Sequence, residues 1–401
     1  MTITQWRRSE LGYCSNVHPA ETFAKLADVI QQPIHKVKLA RGLDQMATGL
    51  WISADAATAI VSDPHTHEYF SSLLTGHKVT LVTLNGFPYG DFHSERVKEN
   101  AYLPDWHDPR RYQYSCNLAS LLAHNLDPQQ HEGTISTVPL GYRPEWSSDK
   151  HEQALAQICQ LANFLQQLKQ ETGKHIRVCF EMEPGCVLEQ THETVNFFTN
   201  DLPAAARTHK LDELHIHNHL GLCYDVCHQA VMFENAADSL KSLTNAGITI
   251  GKIQISSALH IERPAEAKEV LSAYIEPRYL HQVRCRTQNN TVHGTMDLSE
   301  ALTNGTMPTD VPWRVHFHIP IHAQVLDDEH LSTTQQENCA VFDFLAAHPE
   351  VRPHLEVETY TWQVLPGSFQ VDNDNTLIKG IHAELHWVEE QLNKRGLLTQ
   401  L

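Results

Sequence analysis

The sequence predicts an α/β protein built as a (β/α)8 barrel, in which eight parallel strands are each followed by a helix and long loops are inserted between them. Short apolar runs alternate with amphipathic helical patterns along the whole chain, which is typical of a parallel sheet with crossover helices. The length of 401 residues suits a large barrel of this kind. We expect one domain, residues 1–401, with an insertion at about residues 260–312.

Nine runs have the composition of strands, one more than the barrel holds. The third run ends in the turn-rich string Asn85–Gly90, and the loop that follows continues to about Arg111. The extra strand is either the Gly49 run or the Trp313 run. In chain order the candidates are Leu11–Asn16, Gly49–Ser53, Lys78–Leu84, Thr134–Leu140, Ile176–Glu183, Leu220–Asp225, Ile248–Ser256, Trp313–Ile321 and His354–Trp362.

Helical patterns lie between these strands. His18–Glu21 opens the first helix, with its proline at an early position where the missing N–H costs least. Apolar residues at helical spacing over Leu155–Leu165 predict an amphipathic helix that is capped near Ser147 or Ser148. A further helix is expected over Glu337–Ala347. This alternation is what the barrel requires.

The composition excludes several classes of function. The chain has 30 Lys and Arg against 48 Asp and Glu, a formal charge of −18, so a nucleic-acid partner is disfavoured. Its nine cysteines are odd in number, which fits buried free thiols in a reducing compartment. We find no signal peptide and no apolar run of the roughly 20 residues that a membrane span needs. A cytoplasmic protein that binds a small molecule is expected, and its oligomeric state stays open.

The stretch Leu220–His228 carries the strongest chemical signal. It reads as a buried strand that ends in Asp225, with His228 three residues later. Both side chains can face the mouth of a barrel, and their oxygen and nitrogen atoms suit a divalent cation. The alternative is that Asp225 caps the next helix and His228 lies on a loop.

Other strand ends repeat this pattern of paired polar residues. Side chains two residues apart share one face of a strand, so each pair points to the same side. Carboxylates from three strands predict a bound cation because buried charges are costly when unpaired. The pairs are Glu181 and Glu183, Lys252 and Gln254, His316 and His318, and Glu356 and Glu358.

Three further features add candidate residues. Glu189 lies six residues after Glu183 across a Pro-Gly turn and can reach back as a general base, or else cap a helix or lie in solvent. The run His316–His322 can supply a second metal site or substrate ligands, or form part of the core. Arg110 and Arg111 can bind an anionic group of the substrate, or lie in a solvated turn.

Taken together, these residues resemble the xylose isomerase-like TIM-barrel superfamily, which includes sugar epimerases and endonuclease IV. Glu183 and Glu189 match the spacing of the two glutamates at strand five of those epimerases. Asp225 and His228 match the Asp-x-x-His of strand six, and Glu358 matches the glutamate of strand eight. Where the epimerases usually have a strand-seven histidine, this sequence has Gln254, which departs from the pattern.

More narrowly, the chain resembles the EboE-type metabolite traffic proteins over about residues 11–366. The resemblance implies a part in processing or exporting a secondary-metabolite precursor, with other proteins of the same operon as candidate partners. It does not imply a known reaction. The strings that carry it are Tyr13–Pro19, Thr83–Gly90, Ser136–Gly141, Glu183–Cys186, Cys223–Ala230, Gln254–Ala258 and Leu355–Trp362.

The leading hypothesis is a metal-dependent isomerase or epimerase for a small polyhydroxylated or carbonyl metabolite, with Mn, Zn, Mg or Co as the cation. A non-enzymatic metabolite carrier or scaffold and a multi-metal phosphodiester hydrolase related to endonuclease IV are the alternatives. The expected metal ligands are Glu183, Asp225, Gln254, Glu358, His316 and His318. The expected proton-transfer residues are Glu189, His228 and Lys252. The expected substrate-binding residues are Asn16, His18, Asn85, Arg110, Arg111 and His322.

Overall fold

Eight parallel strands form the centre of the protein, as a computed structural model that describes residues 5–127 and 130–399 shows. Their spatial order is β1-β8-β7-β6-β5-β4-β3-β2, so each strand lies beside its neighbours in the sequence. This confirms the predicted (β/α)8 barrel. The strands are β1 (Gly12–Tyr13), β2 (Met46–Trp51), β3 (Val79–Asn85), β4 (Glu132–Thr137), β5 (His175–Glu181), β6 (Leu220–Asp225), β7 (Ile250–Ile255) and β8 (His354–Val357).

The barrel closes between β1 and β2 through a parallel bridge from Cys14 to Gly49. Gly49 is required there because a Cβ atom at this position would lie 1.4 Å from Oε1 of Glu356. The absence of a side chain on β2 therefore makes room for a carboxylate that β8 sends into the barrel. The Gly49 run thus belongs to the barrel.

Helices surround the strands. The first begins at Phe23 behind a Thr22 cap, so the predicted start at His18–Glu21 is wrong. Asp108 accepts a hydrogen bond at the start of Pro109–Asn125, and Ser147 does the same at the start of Ser148–Thr172. Among the described residues, no helix has both the length and the apolar character that a membrane crossing requires. The principal helices are Phe23–Val29, His35–Ala40, Ala54–Ser62, Pro64–His77, Pro109–Asn125, Ser148–Thr172, Thr191–Asn196, Leu202–Thr208, Glu213–His219, Val226–Val231, Ala236–Asn245, Lys268–Leu271, Leu298–Thr303, Gln335–Ala347 and Asp374–Lys394.

Between β7 and the helix Gln335–Ala347 in the sequence, the chain forms a five-stranded antiparallel sheet. It contains the Trp313 run, which is therefore the ninth strand that the barrel does not hold. The strand Trp313–His318 pairs with Ala258–Ile261 and with Val283–Arg286. The sheet brings two histidines of an inserted strand to the carboxyl ends of the barrel strands. Its remaining strands are Val292–Thr295 and Leu331–Thr333.

Candidate metal centre

Three carboxylates from three segments meet at the carboxyl ends of the barrel strands. Glu181 ends β5, Asp225 ends β6, and Glu358 follows β8 directly. One oxygen of each lies within 4.8 Å of the corresponding oxygens of the other two. All three side chains are buried, so solvent does not separate their charges. We call these three residues the carboxylate group.

Hydrogen bonds orient Glu358 by one oxygen only. Its Oε1 accepts from Nδ2 of Asn16 at 2.6 Å and from Nδ2 of Asn85 at 3.3 Å. Its Oε2 is buried and has no hydrogen-bond partner among the described residues. The side chain is thus fixed in direction while one oxygen stays available to a ligand.

Asp225 is held in the same way. Its Oδ1 accepts from the backbone N–H of His228 at 3.0 Å and from the hydroxyl of Ser256 at 2.7 Å. Asp225 therefore caps the helix Val226–Val231 and also faces the mouth of the barrel, so both roles considered from the sequence are present. Within the described parts of the chain, its Oδ2 and the Oε2 of Glu181 are buried without a partner.

The carboxylates of this group lie close together, and their charges raise the pKa values of Glu181 and Glu358, which Lys252 offsets only in part. Burial raises the pKa of Glu181 well above its usual range, and the neighbouring Glu358 and Asp225 raise it further. Burial and Asp225 likewise raise the pKa of Glu358. No Lys or Arg among the described residues forms an ion pair with these three side chains. A divalent cation fits this donor set, because it would satisfy three orphaned oxygens and relieve their repulsion.

Three histidines lie at this end of the barrel, and each uses the same ring nitrogen, Nδ1, in a hydrogen bond. Nδ1 donates a hydrogen bond to an oxygen in each of His228, His316 and His318. Nδ1 therefore carries the proton, and Nε2 keeps its lone pair. The acceptors are, in that order, the Met182 carbonyl at 2.8 Å, Oε1 of Gln282 at 2.6 Å and the Glu358 carbonyl at 2.9 Å. A second-shell acceptor of this kind is typical of a metal-binding histidine.

Burial also keeps two of these rings neutral. It lowers the pKa of His318 to about 4 and that of His316 well below its usual value. Nε2 of both rings is buried without a hydrogen-bond partner in the described structure. A neutral imidazole with a free Nε2 is the form that binds a metal ion.

The ligand atoms form more than one group. Glu183, His228 and His316 lie within 4.8 Å of one another, and we call them the histidine group. Asp225, His228 and His318 form a further set within the same distance, which joins the histidine group to the carboxylate group. Cys227 also lies within 4.8 Å of His316 and His318. The arrangement has room in its donor set for one cation or for two.

A cavity opens over these groups. Its empty space is about 510 Å³ when the opening to solvent is included. Every member of the carboxylate and histidine groups except Asp225 lines one part of the cavity. Most of the remaining lining is apolar and comes from the long loop after β3, the inserted segment and the segment after β8. Glu183 lines the cavity, and burial raises the pKa of this carboxyl to about 7 although it accepts a hydrogen bond from Tyr102 at 2.8 Å.

Among the predicted ligands, the structure gathers Glu183, Asp225, Glu358, His316 and His318 at this centre, together with His228. Gln254 lies on β7 in register with Asp225, and its Oε1 accepts a hydrogen bond from the Cys223 thiol at 3.3 Å. Its side chain does not line the cavity. Gln254 therefore stays a prediction.

Glu189 does not take the position expected of a general base. Its Oε2 accepts from the backbone N–H of Gly185 at 2.7 Å and from Arg284 at 3.4 Å, and Arg143 lies 3.7 Å from its Oε1. Glu189 is absent from the lining of the cavity. The sequence spacing is correct, but the carboxylate is used to fix the turn after β5 and to pair with arginines. Proton transfer by Glu189 therefore stays a prediction that this placement does not favour.

Lys252 is also placed differently from the expectation. Its Nζ lies 2.5 Å from Oε2 of Glu356 and 3.4 Å from Oγ of Ser136, inside the barrel. Burial alone would lower the pKa of this ammonium, but the contact with Glu356 raises it above its usual value. Lys252 is thus an ion-pair partner of Glu356, and its role in proton transfer stays a prediction that this placement does not favour.

The two arginines expected to bind substrate serve the fold instead. Arg110 is exposed and pairs with Asp108 at 2.6 Å. Arg111 is buried and donates to the carbonyls of Pro104, Gly86 and Phe87 at 2.8, 2.8 and 2.9 Å, which fastens the loop after β3. Burial lowers the pKa of Arg111 to about 10. Neither residue lines the cavity over the metal centre.

The other predicted substrate residues divide into two pairs. Asn16 and Asn85 line the cavity, where they orient Glu358. His18 and His322 do not line it. Nε2 of His18 is bonded to the Tyr13 hydroxyl at 2.9 Å, so this ring is part of the packing behind β1.

Sequence reasoning assigned no role to two residues of the site, Glu181 and Tyr102. Glu181 was recognised as sharing a face with Glu183, and that alternation was the signal that could have placed it among the ligands. Tyr102 lies in the long loop after β3, where no periodic pattern indicates which side chain turns inward. Its hydroxyl donates to Glu183 and accepts from Nε2 of Gln282 at 2.9 Å.

Comparison with solved structures finds xylose isomerase-like barrels. A xylose isomerase-like TIM barrel protein from Mycobacterium smegmatis in complex with magnesium is 10% identical, with 96% of this chain and 99% of that chain covered and a TM-score of 0.49. The IolI protein with a bound zinc atom is 12% identical, with 96% and 98% covered and a TM-score of 0.48. An L-ribulose 3-epimerase is 10% identical, with 96% and 95% covered and a TM-score of 0.46.

These similarities concern the architecture of the backbone. No protein-family model matches the chain, and no curated protein matches it either. The narrower resemblance to EboE-type metabolite traffic proteins therefore rests on the sequence strings alone. The chemistry of the site follows from the side chains of this chain.

Proposed function

We propose that this protein is a metal-dependent enzyme that isomerises or epimerises a small metabolite bearing carbonyl or hydroxyl oxygens. One observation carries the proposal: the carboxylate group buries three oxygens without a partner, and no Lys or Arg of the described chain neutralises them. Such an arrangement is costly unless a cation is bound. The cavity beside it gives a small molecule access to that cation.

Glu181, Asp225 and Glu358 would hold the cation, with His318 beside them. A bound divalent cation would polarise an oxygen of the substrate and so make a neighbouring C–H bond more acidic. Asn16 and Ser256 keep the Glu358 and Asp225 carboxylates in place through the hydrogen bonds described above. The buried position excludes bulk water from the centre.

The histidine group is suited to move the proton. Glu183 lines the cavity next to the carboxylate group, and the Tyr102 hydroxyl fixes one of its oxygens. In this account Glu183 accepts the substrate proton and returns it. His228 holds its Nε2 lone pair toward the same region, because its Nδ1 donates to the Met182 carbonyl. These roles replace those expected of Glu189 and Lys252.

A matched pair of variants tests the proposal. Glu181→Gln and Glu189→Gln make the same chemical change, inside the carboxylate group and outside the cavity respectively. Manganese-loaded protein would be incubated in D2O with a panel of hydroxy-ketones and ketoses, and uptake of deuterium next to the carbonyl followed by NMR. We expect uptake with the wild type and Glu189→Gln, and its loss with Glu181→Gln. Metal-loaded protein that exchanges no proton with any member of the panel would favour a metabolite carrier.

A second candidate function is phosphodiester hydrolysis with two metal ions. The observation that favours it is the histidine group, which adjoins the carboxylate group through His228 and could hold a second cation. Two equivalents of metal per chain together with hydrolysis of a phosphodiester would support this alternative. One equivalent with proton exchange supports the isomerase.

The cellular role follows from the sequence resemblance alone. If the chain acts as an EboE-type metabolite traffic protein, the substrate is a secondary-metabolite precursor and proteins of the same operon are its partners. We place the protein in the cytoplasm in this account. Co-purification with the products of neighbouring genes, and accumulation of a precursor when the gene is deleted, would test it.

A further inference from the structure

Three aromatic rings form one wall of the cavity. Phe92, Tyr279 and Tyr360 all line it, and they come from the loop after β3, the inserted segment and the segment after β8. Their ring centroids lie 5.0 Å apart for Phe92 and Tyr279, 5.6 Å for Phe92 and Tyr360, and 4.9 Å for Tyr279 and Tyr360. We call these three residues the aromatic wall. Aromatic faces of this kind favour an apolar or ring-shaped partner.

The aromatic wall begins next to the metal centre. The ring of Tyr360 lies 4.6 Å from the ring of His318, centroid to centroid. A molecule that places an oxygen at the carboxylate group therefore has the rest of its atoms within reach of the wall. The body of the ligand, as distinct from its reacting oxygen, meets apolar surface.

The cavity offers no free positive charge to an anionic ligand. Lys98 is the one Lys or Arg among the described residues that line it. The three donors of its ammonium are used by the Asp297 carboxylate at 2.6 Å, the Tyr279 carbonyl at 2.6 Å and the Glu276 carbonyl at 3.2 Å. Since the other charged lining residues are glutamates, a phosphate or carboxylate on the ligand body would be repelled.

Few polar atoms of the lining are free to bind hydroxyl groups. The Tyr279 hydroxyl donates to the Phe92 carbonyl at 3.2 Å. The nitrogen and the oxygen of the Asn85 side-chain amide both form hydrogen bonds within the protein. Outside the metal-ligand groups, one buried side-chain atom of the lining has no hydrogen-bond partner in the described structure, namely Oδ1 of Asn16. A polyol would bring more hydroxyls than this cavity can bind, and unpaired hydroxyls are costly when buried.

We propose that the cavity selects an uncharged molecule with an apolar, ring-shaped body and a metal-binding carbonyl or hydroxyl oxygen at one end. Free sugars and phosphorylated or carboxylated molecules are disfavoured. This inference rests on the proposed function, because the metal centre is what binds the oxygen. The inference narrows the proposed substrate from any small polyhydroxylated or carbonyl metabolite to an uncharged, ring-bearing molecule with a carbonyl or hydroxyl oxygen at one end.

Hydroxamates supply a matched set of probes, because each bears the same metal-binding oxygens. Binding of acetohydroxamate, benzohydroxamate and 4-carboxybenzohydroxamate to zinc-loaded protein would be measured by calorimetry, with D-fructose alongside. We expect benzohydroxamate to bind about tenfold or more tightly than acetohydroxamate, as burial of a phenyl ring predicts. The added carboxylate should remove this gain, and fructose should bind more weakly than benzohydroxamate.

A variant of the aromatic wall tests whether the wall causes the preference for benzohydroxamate. Phe92→Leu should reduce the affinity for benzohydroxamate and leave that for acetohydroxamate unchanged, and the conservative size protects the fold. Equal affinities for the two hydroxamates, or tighter binding of the carboxylated probe or of fructose, would overturn the inference. If the protein takes up no metal, no hydroxamate binds through it, and the proposed function fails instead. The two failures are therefore distinguishable.

Discussion

Two buried glutamates of neighbouring position, Glu356 and Glu358, have opposite electrostatic surroundings. They lie two residues apart, so their side chains point to the same side of the chain at β8. Glu356 meets Nζ of Lys252 at 2.5 Å. Glu358 instead meets Asp225 and Glu181, which repel it. Both residues are almost fully buried, at 1% and 4% exposure, so burial alone does not separate them.

This difference separates a carboxylate that the protein pairs with its own cation from carboxylates that have no such ion pair. The sequence supplies a cation for Glu356 in the barrel interior, and Gly49 leaves space for that ion pair. One layer further toward the mouth, the sequence supplies three acids that form no ion pair with a lysine or arginine of the described chain. In the proposed function these acids bind a cation from solution, whereas the paired Glu356 is part of the structure.

The largest effect is expected from breaking the internal ion pair. Lys252→Met leaves Glu356 buried and unpaired, so we expect a loss of about 3–5 kcal/mol in the free energy of unfolding. Urea denaturation measures it. The double variant Lys252→Met, Glu356→Leu should recover much of the loss because no charge remains. A single variant as stable as the wild type would show that Glu356 does not depend on this partner.

Glu384 gives a third case, a buried carboxylate that is stabilised by hydrogen-bond donors. It accepts from Thr359 at 2.6 Å, from the Ile321 N–H at 3.1 Å and from Trp362 at 2.8 Å. Burial nevertheless raises the pKa of this carboxyl to about 7. The native state therefore holds the proton more tightly than the unfolded state does. The stability contributed by this proton is present at low pH and is lost as the pH rises through about 7.

Glu384→Gln should remove this pH dependence. Between pH 5 and 8, the metal-loaded wild type is expected to lose on the order of 2–3 kcal/mol more unfolding free energy than the variant. Denaturation curves of both proteins at several pH values measure the difference, and subtraction cancels the other titrating groups. Parallel pH profiles for the two proteins would contradict the assignment.

A smaller effect is expected from the hydrogen bonds that orient Glu358. Asn16→Ala removes the 2.6 Å donor to Oε1 but no metal ligand. We expect metal affinity to fall by about 10–100-fold, the usual range for an outer-shell partner. Competition with a coloured chelator measures the affinity. Unchanged affinity would mean that Asn85 alone orients the carboxylate.

The smallest effect is expected at Arg110, which the sequence had assigned to substrate. Arg110→Ala breaks an exposed pair with Asp108. Exposed pairs contribute little, so the thermal midpoint and the affinity for benzohydroxamate should both stay unchanged within error. A clear loss of ligand affinity would return Arg110 to the binding site.

The sequence predicted the barrel and most of the centre because both follow from local pattern. Alternation along a strand places Asp225 and Glu358 at the mouth, and the (β/α)8 architecture was evident from the order of elements. The identity of the ninth strand was not, since Trp313–His318 and Met46–Trp51 are both short apolar runs. Only pairing with Ala258–Ile261 places the former in the inserted sheet.

Contacts between residues distant in the chain explain the placements that the sequence did not predict. Glu189 is paired with Arg284, 95 residues away, and Arg111 reaches backbone carbonyls of a loop more than 20 residues earlier. Lys252 meets Glu356 because β7 and β8 are neighbours in the barrel. Such partners decide whether a charged side chain is free to react, and no local spacing reveals them. Glu181 was not named as a metal ligand because the six-residue spacing to Glu189 pointed to Glu183 on the same predicted strand.

The most direct test of a cation-binding carboxylate group is the metal content of the purified protein. Wild type and Asp225→Asn would be prepared without chelator, reloaded with manganese or zinc, and measured by elemental analysis per chain. The asparagine keeps an oxygen that can cap the helix after β6, so the fold should survive, as circular dichroism can verify. We predict at least one equivalent of metal in the wild type and its loss in the variant. A well-folded wild type that takes up no metal would contradict the account.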